Sequence, residues 1–477
     1  MARELLKAPF ENPAPTRHLG ENLKIKTAAV AIFVGGFLCA CGTGSGTGGG
    51  TGGGTADAGR VDDVLTAAEL VTAAQFTPLT AVPADATNAY ADNAAAAVLG
   101  QRLYFDTSYS GALTVGSNGT NGGLGAAGEK GKVACVSCHL SLAGDDNRST
   151  PNNVSLGTDY GTRNALPVTN ASFSAWTNWG GRFDSQWSLP LAVAENGKIM
   201  KSTRLEVAHM LWAKYRTEYD AVFPVPLDAS LDPASGTAAR FPLVGKPKAL
   251  VGDADGAWEL MAAADRTIVN RIFANYGKAI AAYMRKLVSR NAAFDRFVAG
   301  DGTALTASAK RGFRIFSTKG NCSKCHTGPS FSDDKFHALG VTQSGPNVPG
   351  TDLGRFTDVT GLLASAFNTA GAYSDDAGTG KLTGLAQAPS MTAQFRSMGL
   401  RGAGRSAPYM HSGQLATLDA VVDFYNSGGG AVADGGTLDT DVTALGLTAA
   451  EKIDLVAFLK TLDGEAVPAA LLINTSL

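Results

Sequence analysis

The sequence predicts a mainly α-helical protein with long irregular loops, and three observations support this fold class. Apolar side chains recur at helical spacing between residues 268 and 287, which indicates the buried face of one helix. Thr306 stands in the position of an N-cap before a second helical segment. Thr448 and Glu451 form a capping box that opens a third helix over residues 452–462.

Size and charge set broad limits on the function. A chain of 477 residues is too long for one hydrophobic core and leaves room for two or three domains. The formal net charge is −2, so the chain has no strongly basic surface that would bind nucleic acid or an anionic membrane. We therefore expect no nucleic-acid partner, and the composition excludes little else.

The N-terminus predicts export and attachment to a membrane. An apolar run over residues 27–38 follows two lysines; it is too short to span a bilayer but suits a signal peptide. The run ends in Leu-Cys-Ala-Cys, a lipobox pattern in which Cys41 is the lipidated residue. We predict a lipoprotein-type signal peptide at 1–40, then a Gly-rich tether and linker at 41–85. The alternative is ordinary signal-peptide cleavage nearby, which would leave a soluble protein.

The four cysteines that remain after this processing form two Cys-x-x-Cys-His sequences. They are Cys135-Cys138-His139 and Cys322-Cys325-His326. This pattern is the attachment signal of c-type haem: both thiols face one edge of the porphyrin, and the adjacent imidazole reaches the iron. Two disulfides, thioredoxin-like motifs and zinc sites are the alternatives. The histidines argue against disulfides, no βαβ pattern accompanies the motifs, and zinc would need more closely grouped pairs. We predict two covalent haem c groups.

The segments around the motifs predict two domains of one plan. The helix before the second motif contains Gly312, which would allow close approach of the C-terminal helix. The first motif has a similar lead-in over residues 98–105. The sequence thus predicts two cytochrome c-like haem domains, an N-terminal one at 86–300 and a C-terminal one at 301–477.

From about residue 95 to residue 465 the chain resembles the bacterial dihaem cytochrome c peroxidase/MauG family. Besides the two haem motifs, the segments that carry the resemblance are Leu99–Asp106, Arg163–Ala165, Trp179–Arg182, Gly328–Asp333, Asp352–Arg355 and Ser406–Gly413. The resemblance implies that His139 is the proximal ligand of a peroxide-facing haem. It implies equally that His326 is the proximal ligand of an electron-transfer haem.

The resemblance also implies a sixth ligand for the second haem. Peroxidases of the family place Met at this position, whereas this chain has Tyr425, as MauG does. A thioether favours ferrous iron, whereas a phenolate favours higher oxidation states. A core tyrosine is the alternative interpretation, and Met410 is a reserve candidate ligand.

Three further roles follow from the resemblance alone. Trp179 would carry electrons or holes between the haems, although Trp176 and Trp187 compete as nearby tryptophans. His411 would lie near the second haem in a mainly structural role. An interdomain Ca²⁺ would be held by the hard oxygens of three residues, namely the Asn164 side chain and the carbonyls of Ser406 and Pro408.

The chain departs from the family in the pocket that receives peroxide. Family peroxidases have a Gln and a Glu where this chain has Leu189 and Ile199, and the Glu moves a proton between the peroxide oxygens. An isoleucine cannot do this. Glu195 and Gln186 are close in sequence and could substitute, but a shift of one turn disfavours the same geometry, so we expect solvated or structural roles for both.

Two functions remain open. The first is a dihaem oxidoreductase on the periplasmic or cell-surface side. It would react with hydrogen peroxide at the His139 haem and pass oxidising equivalents through Trp179 to the His326/Tyr425 haem. A small cytochrome c, a cupredoxin or a protein substrate would be the partner. The second is a non-catalytic dihaem electron-transfer or redox-sensing cytochrome, which the altered pocket favours.

Overall fold

The structure, a computed structural model, describes residues 62–118, 123–139, 154–235, 239–433 and 435–477. The predicted signal peptide, the predicted lipidation site Cys41 and the first part of the tether lie outside the described residues. Among the described residues, no helix combines the length and the hydropathy needed to cross a bilayer.

The described chain is mainly helical, as predicted. Its helices are α1 (Ala67–Ala73), α2 (Ala94–Phe105), α3 (Cys135–Cys138), α4 (Ser188–Glu195), α5 (Arg204–Val222), α6 (Ala257–Leu260), α7 (Ala263–Met284), α8 (Ala293–Val298), α9 (Ala307–Ser317), α10 (Arg355–Leu363), α11 (Leu418–Asn426) and α12 (Ala449–Lys460). Two short antiparallel strands, β1 (Phe336–His337) and β2 (Phe395–Arg396), form the only sheet within the described ranges. Long loops and 3-10 turns join these elements.

The first hydrophobic core is built on the crossing of α2 and α7. The predicted apolar stripe forms the buried face of α7, where Ile272, Tyr276 and Ile280 are almost fully buried. Gly100 of α2 faces this helix, and a Cβ added to it would lie 1.9 Å from the carbonyl oxygen of Ala279. The two backbones approach this closely because residue 100 has no side chain.

The second core repeats this arrangement with α9 and α12. A Cβ at Gly312 would lie 1.9 Å from the carbonyl oxygen of Asp454, so the close approach expected at this glycine is confirmed. The predicted caps are also present: the Thr306 hydroxyl accepts the backbone N–H of Ala309, and Thr448 exchanges hydrogen bonds with Glu451. Edge-to-face phenylalanines fill the space between the helices, which is a favourable arrangement of aromatic rings.

Two segments pack against the second core although they precede residue 300, the predicted boundary between the domains. Helix α8 lies before this point in sequence, yet Phe294 and Phe297 are buried in the second core. Residues 62–83, called the N-terminal strap below, also pack against that core through Leu65 and Phe76, although the sequence assigned them to the tether and linker. The domain limits themselves stay a prediction.

We predict that Gly312→Ala destabilises the protein by about 1–3 kcal/mol, because the new methyl group would collide with the backbone of α12. Urea unfolding of the haem-loaded protein measures this difference. Gly361→Ala is the matched control: this glycine also lies in a helix, but its added Cβ would make only an ordinary contact with Arg182, 3.4 Å away. The control should be neutral or slightly stabilising, since Ala favours helix over Gly. Equal stability of the two variants would contradict the close crossing.

Candidate functional site

Both Cys-x-x-Cys-His motifs line one large cavity. The cavity wall contains all four cysteines and both histidines of the motifs, together with residues of both hydrophobic cores. The four cysteines form no disulfide with one another. Within the described ranges, they do not assemble into a zinc-like cluster of two Cys pairs either. Each motif therefore faces the cavity, whose lining is mainly apolar.

The first motif occupies a single helical turn. Cys135 and Cys138 are the ends of α3, and His139 follows as its C-cap. The Nδ1 atom of His139 lies 2.7 Å from the carbonyl oxygen of Leu166. A carbonyl can only accept, so this hydrogen bond assigns the imidazole proton to Nδ1 and the lone pair to Nε2. An imidazole in this tautomer can bind iron through Nε2.

The second motif has the same hydrogen bond in a different backbone. Cys322 begins a 3-10 turn, and Nδ1 of His326 donates to the carbonyl oxygen of Phe331, 2.9 Å away. Burial lowers the pKa of His326, which favours the neutral imidazole that a metal requires. Burial also raises the pKa of the Cys135 and Cys322 thiols to about 12. The two motifs thus present the donor set that fits haem c: paired thiols and one oriented imidazole each.

Tyr425 and Met410 both lie on the wall of this cavity. Tyr425 is in the last turn of α11, a helix that begins at the Thr417 cap. Burial, and then the nearby Cys322 and Cys325, raise the pKa of its phenol well above the usual value. Tyr425 thus shares the cavity wall with the second motif. Met410, in a left-handed loop conformation, contributes to the same wall.

Of the three competing tryptophans, Trp179 and Trp176 line the cavity. Trp187 is fully buried in the first core and donates its Nε1–H to the hydroxyl of Thr87. The indole of Trp179 donates Nε1–H to the carbonyl oxygen of Asn164, at 2.8 Å. Cations flank Trp176 instead: the Arg355 guanidinium lies 4.6 Å and the Lys381 ammonium 4.8 Å from its ring centroid.

The three residues implied for Ca²⁺ line the cavity as well. Asn164 Nδ2 donates to the carbonyl oxygen of Pro408 at 2.9 Å, which joins two segments far apart in sequence. The Asn164 Oδ1 atom is buried and has no hydrogen-bond partner. An unpartnered buried amide oxygen on a side chain that also contacts a backbone carbonyl is a chemistry that fits a hard cation.

His411 is buried against aromatic rings. Its imidazole stacks on Phe395 with 3.7 Å between centroids, and it contacts the Gln343 amide. Burial lowers the pKa of His411 to about 4; the nearby Asp352 opposes this shift and Arg163 adds to it, so the ring is neutral at pH 7. A neutral, stacked imidazole orders the wall rather than supplying a proton.

The wall near the first motif is apolar at the two positions that depart from the family. Leu189 and Ile199 line the cavity beside Val193. Glu195 is engaged in an ion pair with Arg204, whose Nη2 lies 2.8 Å from its carboxylate. Gln186 donates its amide to the carbonyl of Ala171. Gln186 also lines the cavity, and its Oε1 is buried without a hydrogen-bond partner, so the roles of both residues stay a prediction.

Sequence reasoning missed two polar clusters beside the cavity. His337 lies between two carboxylates, with Nδ1 2.7 Å from Asp439 and Nε2 3.1 Å from Asp333. Arg163 is held between the carboxylates of Asp352 and Asp358, at 2.7 and 2.6 Å. Asp333 is only four residues from His337, but Asp439 and the two partners of Arg163 are more than a hundred residues away, so no local pattern would have paired them.

The comparisons with known proteins agree with this geometry. The family model for di-haem cytochrome c peroxidase matches residues 94–303. Cytochrome-c peroxidase IdrP1 from Denitromonas iodatirespirans is 31% identical over 387 residues, which are 81% of this chain and 85% of that protein. Methylamine utilization protein MauG from Methylorubrum extorquens is 37% identical over 193 residues, 40% of this chain and 44% of that protein.

Solved structures support the fold. A MauG-like protein associated with microbial copper homeostasis superposes with a TM-score of 0.54 at 21% identity, covering 83% of this chain and 97% of that structure. At this identity the likeness concerns the fold alone. The sequence relatives go further, since one matches most of both chains at 31% identity. The chain therefore belongs to the dihaem cytochrome c peroxidase/MauG family, whose cofactors are haems.

Proposed function

We propose that the protein is an exported, lipid-anchored oxidoreductase that reduces hydrogen peroxide at the His139 haem. Electrons would reach this site through Trp179 from the His326/Tyr425 haem, and a cytochrome c, a cupredoxin or a protein substrate would supply them. The observation that supports the proposal most is that both motifs, Trp179 and Tyr425 line one cavity. When bound, haem supplies the iron that exchanges electrons with peroxide.

The protein would orient each haem through its histidine. A carbonyl acceptor on Nδ1 keeps the ring from rotating and raises the basicity of Nε2. Leu166 provides this acceptor for His139, and Phe331 provides it for His326. Because both histidines bind a backbone carbonyl, the two haem sites would differ mainly on the side away from the histidine. Tyr425 would be available there at the second site, and Leu189 and Ile199 would line the first.

Electrostatics favour Trp179 over Trp176 as the electron carrier. Loss of an electron leaves a positive ring, and a nearby fixed cation raises the free energy of that state. Trp176 has Arg355 and Lys381 over its ring, whereas the Trp179 N–H points at the carbonyl dipole of Asn164. A hydrogen bond from the indole to a carbonyl oxygen stabilises the positive ring.

Asn164 would hold this region together. Its carbonyl binds Trp179, its side chain binds Pro408, and its backbone N–H donates to the carbonyl of His411. We propose that a Ca²⁺ bound by Asn164, Ser406 and Pro408 fixes the relative position of the segments that carry the two haems.

The activity is tested by mixing the ferric, haem-loaded protein with hydrogen peroxide and a reduced small cytochrome c or cupredoxin. We expect oxidation of the donor at two equivalents per peroxide, since reduction to two waters takes two electrons and two protons. Trp179→Phe should lower the rate at least about tenfold, or about 1.4 kcal/mol in the barrier.

Trp176→Phe is the matched control for this experiment, because it removes the other tryptophan of the cavity wall. It should leave the rate within about twofold of the wild type. Absence of donor oxidation in the wild type would contradict the proposed activity. An equal loss in both tryptophan variants would contradict the assignment of the relay to Trp179.

Tyr425→Met should raise the reduction potential of the second haem, because a thioether favours ferrous iron and a phenolate favours ferric iron. Axial ligands shift haem potentials over a range of roughly 0.8 V, so the change should be easy to resolve. Spectroelectrochemistry and the EPR spectrum of the ferric protein measure it. Met410→Leu is the control and should change neither; if it alone alters the low-spin signal, Met410 is the ligand.

A non-catalytic electron-transfer or redox-sensing cytochrome is the second candidate function. It is favoured by the apolar wall at Leu189 and Ile199 and by the ion pair that occupies Glu195. No carboxylate of the described cavity wall stands beside these two residues in a position to move a proton.

The two functions are separated by Ile199→Glu. If only the proton shuttle is missing, the new carboxylate should raise peroxide turnover by about 100-fold, the lower range of general acid–base catalysis. Ile199→Gln is the control, because it has the same shape but cannot carry the proton. Fast turnover in the wild type that neither variant changes would show that the apolar pocket is no obstacle.

A further inference from the structure

The N-terminal strap (residues 62–83) is held to the rest of the protein by charged groups along its whole length. Lys310 of α9 binds Asp62 at 2.6 Å, and both side chains are about nine-tenths buried. Arg314 of the same helix binds Glu69 of α1. Beyond α1, three arginine side chains donate to backbone carbonyls of the strap, at every third residue: Arg401 to Thr77, Arg290 to Thr80 and Arg285 to Pro83.

This anchoring places one aromatic side chain, Phe76, inside the second core. Phe76 is 4% exposed and stacks on Phe331, with 4.8 Å between ring centroids and 20° between planes. It also meets the edges of Phe313 and Phe316 of α9, with centroids 6.0 and 5.9 Å away. The strap lies outside the range that the family model matches, which begins at residue 94.

Phe331 is the residue whose carbonyl accepts the His326 hydrogen bond. Its φ is +53°, a left-handed conformation that costs free energy for any residue with a Cβ and is unusual for a bulky one. Its side chain is fully buried between Phe76 and the rings of Phe294 and Phe316. The Arg401 guanidinium that holds Thr77 also lies over the Phe331 ring. Packing therefore maintains a backbone conformation that the residue would otherwise leave.

We propose that Phe76 is a positioning residue for the second haem. By packing on Phe331, the strap keeps the Phe331 carbonyl pointed at Nδ1 of His326. This hydrogen bond makes the imidazole a stronger donor and so stabilises ferric iron. The strap thereby lowers the reduction potential of the second haem. The inference rests on the proposed role of His326 as the proximal ligand of an electron-transfer haem.

The experiment measures the reduction potential of each haem separately in the haem-loaded protein, by spectroelectrochemical titration with EPR of the ferric state. In Phe76→Leu we expect a positive shift of the second haem's potential and an unchanged first haem, because a smaller side chain lets Phe331 relax and weakens the hydrogen bond. Asp62→Asn combined with Glu69→Gln should cause a smaller shift in the same direction, since these changes loosen the strap and leave every aromatic ring in place.

Phe297→Leu is the matched control. Phe297 belongs to the same core and is similarly buried, but its ring contacts Phe294 and the Lys310 ammonium rather than stacking on Phe331, and the substitution leaves the Lys310–Asp62 ion pair in place. It should reduce stability without shifting either potential. The proposal is overturned if Phe76→Leu leaves the second haem's potential unchanged, or if Phe297→Leu shifts it equally. Neither result depends on peroxide turnover, so a failure of the proposed activity would remain distinguishable.

Discussion

The architecture depends on one interaction that occurs twice: a buried imidazole whose Nδ1–H is bound by a backbone carbonyl. His139 uses Leu166, and His326 uses Phe331. An imidazole buried in an apolar cavity without a partner would lose the hydrogen bond it makes in water and would be free to rotate. The carbonyl meets both needs at the wall of the cavity. Every further feature of the site is arranged around these two rings.

Each carbonyl is in turn held by a different part of the chain. Leu166 follows directly on the segment in which Asn164 joins Trp179, Pro408 and His411. Phe331 is held in a left-handed conformation by the aromatic core of α9, α12 and the N-terminal strap. The first imidazole is therefore coupled to the polar region that contains Trp179. The second is coupled to a buried aromatic core.

The charged groups beside the cavity are paired, and this affects what the site can do. Arg163 is held by Asp352 and Asp358, Arg204 by Glu195, and His337 by Asp333 and Asp439. Paired charges cost less to bury than single ones. The wall at Leu189, Val193 and Ile199 offers only apolar side chains. The two candidate functions differ in whether a proton can reach this part of the wall.

Part of this arrangement could be predicted from the sequence because it is encoded locally. In each haem motif the two thiols and the imidazole lie within five residues. The caps at Thr306 and Thr448 act within one helical turn, and the apolar stripe of α7 repeats every three or four residues. Gly312 marked a close helix crossing because only glycine tolerates one. The resemblance to the family extended these local patterns to Trp179, Tyr425 and Asn164.

Only the tertiary structure decided which groups act on these residues. The partners of His139 and His326 are backbone carbonyls, which no side-chain pattern identifies. The Arg355 cation over Trp176 and the packing of Phe76 bring together segments that are far apart in the sequence, and Trp187 is buried in the first core. A segment that the sequence assigned to the tether and linker proved to be part of the second core. Sequence patterns report the geometry of one helical turn, whereas these contacts exist only once the whole chain has packed.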